Sequence, residues 1–394
     1  MEKGVETVEI SANQFELIPG DSEKLNQASK WGAVHKILPI PQFNLLVILA
    51  ENQIIYRKPD GKFEVFEIPP SDFGVLEDTT VRIIEASVIE GTSTLVLRVG
   101  VGFHRDEDGH NVPDRVQIAG FDLSTFKLSQ INELDIYNQV SGIRGSYAFV
   151  RNEEGTLSLV DMRTWTEIPL PEYDQGLELY CHPKKLIGNM LVEGAHVNNK
   201  EICVYNFEGK LEAKHQVSIN YNTWSFIIPS PNGTSFFVLC CGQNGFWKIG
   251  NNTEAYARNN AGPLWWNLGN ISPDDNYVAY ISREDSIFYI YRSSDMTPVV
   301  KRENAEQGWE QLYQHFAFDA NSQYAIIAVK EESCAEVISL KPGPQQFKPV
   351  KQFKLPEGHF FTRMWIDEAI NTFNGVGHNE GTTHFYVTVP FGLN

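Results

Sequence analysis

The chain has 394 residues, of which 42% are hydrophobic and 12% aromatic, and this is enough apolar material for a large core. Its 50 acidic residues outnumber its 32 basic residues, so the formal net charge is −18. This charge excludes nucleic acid and anionic membranes as expected partners, because both require a basic face, and it leaves basic peptides or proteins.

The five cysteines are odd in number and include no Cys-x-x-Cys pair. Such cysteines are typical of buried, reduced thiols in a reducing compartment. The first residues lack the apolar core of a secretion signal, and no apolar run is long enough to span a membrane. We therefore expect a cytoplasmic protein, with the nucleus left open.

The first element in chain order is a strand within residues 1–19. It contains Val8, Ile10, Phe15 and Leu17, and no hairpin partner follows it directly. The last repeat unit of the chain has only three strands, so one strand is missing at one end of the chain and left over at the other. We expect the N-terminal strand to complete the last unit, because pairing removes exposed strand edges.

Repeat units of about 40 residues follow, each with short runs of β-favouring residues between turn formers. In the clearest, residues 272–295, a turn SPDD precedes one strand, a charged tip and a second strand. The sequence predicts an all-β fold, a single domain over residues 1–394, which is one closed β-propeller of four-stranded blades. Eight blades are expected, with seven as the alternative. The units span residues 31–70, 80–134, 140–171, 177–219, 223–258, 264–301, 312–355 and 358–390.

These turns carry a family resemblance. Residues 272–275, SPDD, followed by a strand, resemble the turn-plus-strand pattern of WD-repeat β-propellers. Residues 231–233, PNG, and 319–321, DAN, resemble degenerate copies, and residues 358–359, GH, resemble the Gly-His opening of a WD repeat. The resemblance covers nearly the whole chain as a period and holds at the level of the fold, without a subfamily. It implies a protein that holds other proteins or peptides on one face of a ring.

A polar stretch at residues 102–114 separates the middle strands of the second repeat unit. Asp106, Asp108 and Asp114 are spaced like the carboxylates of short calcium loops, and the stretch resembles the loops of thrombospondin-type calcium repeats. Calcium needs several hard oxygens that converge on one point and a glycine that turns the backbone tightly. Here a histidine replaces one carboxylate and an asparagine one glycine. The alternatives are a solvated hairpin loop, a calcium site and a partner-contact loop.

Aromatic and acidic residues recur where one repeat unit passes to the next. In a propeller these crossings share a face with the hairpins between the second and third strands. We expect aromatic residues that encircle the mouth of the channel, with acidic residues around them, to bind a basic peptide, since tryptophan and tyrosine dominate binding hot spots. The alternative is that each tryptophan packs between neighbouring blades. The candidates are Trp31, Trp224, Trp265, Trp266, Trp309, Phe360, Asp174, Glu306 and Glu310.

Enzyme signatures such as a nucleophile elbow, a zinc-protease helix or a phosphate loop do not occur in the sequence. The leading interpretation is a protein- or peptide-binding scaffold without a cofactor. A first alternative is a hydrolase or lactonase-like enzyme with a metal in the central channel, for which Glu178, Asn267 and His315 are candidate ligands. A second alternative is a substrate-receptor subunit of a ligase complex.

Overall fold

The computed structural model describes residues 5–19, 37–40, 43–89, 91–106, 111–134, 139–144, 146–151, 157–169, 178–181, 186–191, 199–206, 210–218, 226–239, 243–248, 254–258, 269–282, 287–303, 316–329, 333–379 and 383–392. The chain divides into two compact lobes. The first lobe is His35–Ser218, and the second lobe combines Met1–Val34 with Ile219–Asn394. The single domain over the whole chain stays a prediction.

The chain begins with two short strands of the second lobe, β1 (Glu6–Glu9) and β2 (Glu16–Leu17), on either side of a 3-10 helix at Ala12–Gln14. The described part of the first lobe then forms four antiparallel sheets, in which four strands pair in chain order. The strands are β3 (Ile37–Ile40), β4 (Leu45–Ala50), β5 (Gln53–Arg57), β6 (Phe63–Glu67), β7 (Val81–Val88), β8 (Thr94–Arg105), β9 (Asn111–Asp122), β10 (Lys127–Leu134), β11 (Gln139–Arg144), β12 (Tyr147–Arg151), β13 (Leu157–Asp161), β14 (Thr166–Pro169), β15 (Glu178–Cys181), β16 (Leu186–Leu191), β17 (Asn199–Tyr205) and β18 (Leu211–Ser218).

Burial in the first lobe explains the run of apolar residues in β4. Every residue of this strand is buried, and its sequence LLVILA lacks polar alternation because both faces of the strand are covered. Val47 packs in one cluster with Leu97 and Phe121 of the next sheet along the chain. A 3-10 helix, Pro70–Phe73, connects the two sheets.

The structure corrects the loop predicted at residues 102–114. Strands β8 and β9 continue into this stretch, where Phe103 lies opposite Pro113 and Arg105 opposite Asn111. Phe103 continues the alternation of Val99 and Val101 along β8, and the two strands remain paired despite the polar residues of this stretch. Gly102 has a φ of 67°, in the left-handed region that favours glycine.

The second lobe also contains four sheets in its described part, one of them five-stranded. The order of that sheet is β1-β30-β29-β28-β27, and the order of the last sheet is β2-β33-β32-β31. The remaining strands of this lobe are β19 (Phe226–Pro229), β20 (Ser235–Leu239), β21 (Gln243–Lys248), β22 (Glu254–Arg258), β23 (Gly269–Ile271), β24 (Tyr277–Ser282), β25 (Ile287–Arg292), β26 (Thr297–Arg302), β27 (Phe316–Phe318), β28 (Tyr324–Val329), β29 (Cys334–Ser339), β30 (Pro349–Lys354), β31 (His359–Asp367), β32 (Thr372–Asn379) and β33 (His384–Pro390).

The N-terminal segment joins two sheets of the second lobe. Strand β2 pairs antiparallel with β33, which confirms that the N-terminal strand completes the last sheet. Strand β1 pairs instead in parallel with β30 of the preceding sheet, so the segment divides between two partners. The nearly buried Nζ of Lys351 donates to Glu6 Oε1 at 2.9 Å and to the carbonyl of Phe391 at 2.6 Å. This lysine therefore links both ends of the described chain to one sheet.

The fold is all-β in the described part of the chain, apart from the two short 3-10 helices. Among the same residues, no helix is long and apolar enough to cross a membrane. The closed ring and its blade count stay predictions.

We expect two apolar residues of the N-terminal segment to differ in their effect on stability. Ile10 is 3% exposed and packs between the two sheets, whereas Leu17 is 65% exposed on β2. Ile10→Ala should cost about 2–5 kcal/mol because it leaves a cavity. Leu17→Ala should change the free energy of unfolding by less than about 0.5 kcal/mol. Denaturant unfolding of both variants checks this, and equal losses would contradict the described packing.

Candidate binding pocket

Four turns of the second lobe share one backbone geometry. Each joins the first and second described strands of its sheet and ends at a residue with positive φ: Gly233 at 77°, Asp275 at 61°, Ser322 at 57° and Asn371 at 51°. The amide of that residue donates to the carbonyl three positions earlier. The residues at those earlier positions are Ser230, Ser272, Asp319 and Glu368.

The first three of these earlier residues close their own turns. Ser230 Oγ accepts from the amide of Ser235 at 3.2 Å, and Ser272 Oγ accepts from the amide of Tyr277 at 2.9 Å. Asp319 Oδ1 does the same for the amide of Tyr324 at 2.7 Å. Asp319 Oδ1 also accepts from the amide of Gln323 at 2.7 Å. The equivalent amides of the two serine turns donate instead to Asn232 and Asp274.

Glu368 behaves differently because its side chain is longer. Its Oε1 accepts from the amide of Asn321 in the neighbouring turn at 3.1 Å. Other turns of the lobe also touch, since the amide of Asp274 donates to Ser322 Oγ at 3.0 Å and Asn232 Nδ2 to the carbonyl of Pro273 at 3.1 Å. Glu368 thus belongs to a series of turn-to-turn contacts, and it is the member that brings a second carboxyl next to Asp319.

The carboxyl of Asp319 is 3% exposed. The pKa of Asp319 is raised to about 7, mainly by burial and also by the hydrogen bond and negative charge of Glu368, against the lowering effect of the backbone donors. Two adjacent carboxylates repel when both are ionised, so near neutral pH the proton is retained about half of the time. Asp319 therefore exchanges a proton in the physiological range.

A cavity of about 350 Å³ opens at these turns, and we call it the turn pocket. Its apolar wall includes Tyr324 and Phe391, whose rings meet edge to face with centroids 5.2 Å apart. Lys341 Nζ stands 4.8 Å from the centroid of the Tyr324 ring. Ile370, which lies between two lining residues in the sequence, is 61% exposed. The pocket is lined by Asp319, Asn321, Gln323, Tyr324, Lys341, Ile366, Glu368, Asn371 and Phe391.

Of the predicted aromatic and acidic binding residues, Phe360 is the member that the described chain includes. It lies half-buried near the start of β31, opposite His378, and the two ring centroids are 5.9 Å apart. His384 continues this row on β33, with its ring centroid 5.9 Å from that of His378. The other eight, Trp31, Trp224, Trp265, Trp266, Trp309, Asp174, Glu306 and Glu310, lie outside the described residues.

The described residues include two of the three predicted calcium ligands, Asp106 and Asp114. Asp114 lies on β9, and its Oδ1 is 2.6 Å from His104 Nδ1. Asp106 follows the end of β8 and lies four positions beyond Gly102, which is across the two strands from Asp114. At about 3.3 Å per residue, the backbones of Asp106 and Asp114 are about 13 Å apart along the strand direction. Asp108 lies outside the described residues. A calcium site at this hairpin stays a prediction.

The sequence interpretation named residues 319–321 as turn formers and did not single out Asp319 or Glu368 as a site. A signal for them exists in the internal repeat. Two of the four equivalent turns carry serine and two consecutive turns carry an acid. Finding it requires the turn register, because the last turn lacks the proline of the SPDD pattern and can be aligned only by its positive-φ residue.

We expect Asp319→Asn to stabilise the protein at high pH. Because the fold raises the pKa of Asp319, the wild type loses stability as the pH rises from about 4 to about 7. Asparagine cannot ionise, and it keeps the oxygen that accepts the two backbone amides. The variant's melting temperature relative to the wild type should therefore rise by about 2–6 °C between about pH 5 and about pH 8.5.

Thermal unfolding at the two pH values checks this prediction. Asp274→Asn is the matched control, because Asp274 is an exposed acid in the equivalent turn of the neighbouring sheet. A pH dependence as large in the control as in Asp319→Asn would show that the burial of Asp319 is not its cause.

Comparison with solved structures identifies the fold. The C-terminal WD40 domain of Sif2 has a TM-score of 0.56 and 12% identity, and the match covers 98% of this chain and 100% of that chain. BamB from Moraxella catarrhalis has a TM-score of 0.51 and 8% identity, covering 95% of this chain and 99% of that one. The computationally designed protein Ika8 has a TM-score of 0.52 and 11% identity, covering 92% and 98%. No protein family and no curated protein matches the chain by sequence. The chain thus has the fold of a WD-repeat-like β-propeller.

Proposed function

We propose that the chain is a protein- or peptide-binding scaffold and that the turn pocket is one of its binding sites. The observation that carries this is the combination in one cavity of a carboxyl pair, Asp319 and Glu368, with the aromatic wall of Tyr324 and Phe391. Concave sites that join apolar walls to a few convergent polar groups are typical of ligand sites.

The charge of the chain supports a basic partner. A net charge of −18 attracts a basic protein or peptide over a distance and raises the rate of encounter. At the pocket itself, two carboxyls at one point offer a local reason for the same preference. A WD-repeat-like fold is compatible with this proposal, although a fold alone does not determine function.

The surface around Phe360 is the second candidate site of the same scaffold. Its ring and that of His378 lie at the start of β31 and the end of β32. This is the end of the sheet at which the sequence places the aromatic and acidic face. We propose the cytoplasm as the location, on the grounds of the cysteine content.

Affinity capture from the native cell with the full chain as bait tests the proposal. We expect the wild type to retain a reproducible partner that then binds the purified chain in a defined stoichiometry. Glu368→Lys should lose it, because the new ammonium pairs with Asp319 and fills the pocket. Glu303→Lys is the matched control, since Glu303 is an exposed acid that follows β26.

Two outcomes contradict the proposal in different ways. Recovery of no reproducible partner by any of the three baits overturns the scaffold. A partner that all three baits retain equally leaves the scaffold standing and assigns binding to another surface, of which the one around Phe360 is the first to examine by mutation.

A further inference from the structure

The turns at the turn pocket differ from the other turns of the internal repeat in the side chains that they bury. At the two preceding turns, Ser230 and Ser272 close the backbone with hydroxyls. At the next two turns, Asp319 and Glu368 line one cavity and their side chains share a hydrogen bond, and Asp319 is almost completely buried. Asp319 accepts two backbone amides where each serine accepts one, but burying its carboxyl beside a second one disfavours ionisation. A ligand that needs both carboxyls accounts for this departure from the repeat.

We propose that the turn pocket binds the side chain of a lysine or arginine that has an apolar neighbour in the partner peptide, and that the bound cation displaces the proton of Asp319. The inference rests on the proposed function and names the ligand of the pocket. The displaced proton passes to solvent, so one positive charge leaves the pocket as another enters.

The charge of the pocket favours this occupant. Without a ligand, a proton compensates one of the two carboxyls near neutral pH. An ammonium or guanidinium donates several hydrogen bonds to carboxylates and compensates the charge in the same way. The other titratable groups at the pocket are Lys341 and Tyr324, and Asp367 precedes Glu368 and accepts from the amide of Ala369 at 3.0 Å.

The aromatic wall and the rim favour the same occupant. Lys341 Nζ already stands over the Tyr324 ring at 4.8 Å, so this wall is a surface on which a cation rests. A volume of about 350 Å³ is near the lower end of the range for small-ligand pockets, about 300–1,000 Å³, and suits a single long side chain. The exposed Ile370 beside Asn371 offers contact to an apolar residue next to that side chain.

The test uses the full chain and blocked dipeptides as probes. Acetyl-Leu-Arg-amide and acetyl-Leu-Lys-amide are titrated by ligand-observed NMR, with acetyl-Leu-Gln-amide as the uncharged control. We expect the two cationic probes to bind and the glutamine probe to bind at least about tenfold more weakly. Because the proton competes with the probe at a pKa of about 7, the dissociation constant should fall about tenfold from pH 6 to pH 8.

Variants separate the pocket from the general negative charge of the chain. Glu368→Gln and Asp319→Asn should each weaken the binding of the arginine probe about tenfold and shift or remove its pH dependence. Glu303→Gln removes the same charge at an exposed position and should leave both unchanged. Thermal unfolding of each variant confirms that it remains folded.

Three results would overturn the inference. These are equal binding of the arginine and glutamine probes, a dissociation constant independent of pH in the wild type, and an equal loss of binding in Glu303→Gln. Calcium chloride alone is titrated as a rival ligand, and binding of calcium in place of the probes would also overturn it. Capture of a partner that Glu368→Lys retains would leave the scaffold proposal intact, so the two failures can be told apart.

Discussion

The second lobe depends on the need of a sheet edge for a partner strand. Strands β31 to β33 supply three strands of the last sheet, and β2 from the other end of the sequence supplies the fourth. Strand β1 covers the outer edge of the preceding sheet, at β30. Unpaired edges expose backbone donors and acceptors that other chains can bind. One short segment therefore protects two edges. The buried Lys351 binds Glu6 of this segment and also the carbonyl of Phe391, near the other end of the described chain. Because Phe391 also lines the turn pocket, the same constraint fixes one wall of the candidate site.

The four related turns have the same backbone geometry but differ in the ionisable side chains that they carry. Each of the first three turns has side-chain acceptors for its own amides, and serine provides one of them at two positions. Aspartate provides the same acceptor at Asp319 and adds an ionisable group. At Glu368 the extra methylene carries the acceptor to the next turn, where it meets the amide of Asn321. Neither acidic residue alone makes a site. On adjacent turns, Asp319 and Glu368 form a pair of carboxyls in which Asp319 is partly protonated near neutral pH.

The sequence was sufficient for the strands because turn formers and apolar runs alternate on a short scale. The SPDD turn before β24 and the buried run of β4 are examples in which local residues determine the element. It failed at residues 102–114, where polar side chains suggested a loop and cross-strand pairing prevails. It also failed at the pocket. Asp319 and Glu368 lie on different repeat units, and each is an ordinary turn residue until a sheet-to-sheet contact joins them. Most of the predicted aromatic face lies outside the described residues, and Phe360 alone does not define it.

The two candidate surfaces lie at opposite ends of the same strand. Phe360 is near the start of β31, and Glu368 follows its end. Eight residues of extended chain separate them by about 25 Å, since each residue advances about 3.3 Å. A single side chain cannot reach both, whereas an extended peptide of about eight residues can. The chemistry of the two ends also differs, because an aromatic and histidine row favours stacking and the carboxyl pair favours a cation. A partner that uses both ends must therefore span about 25 Å and present a cation at one end and an aromatic or apolar group at the other, which distinguishes it from a partner that uses the pocket alone.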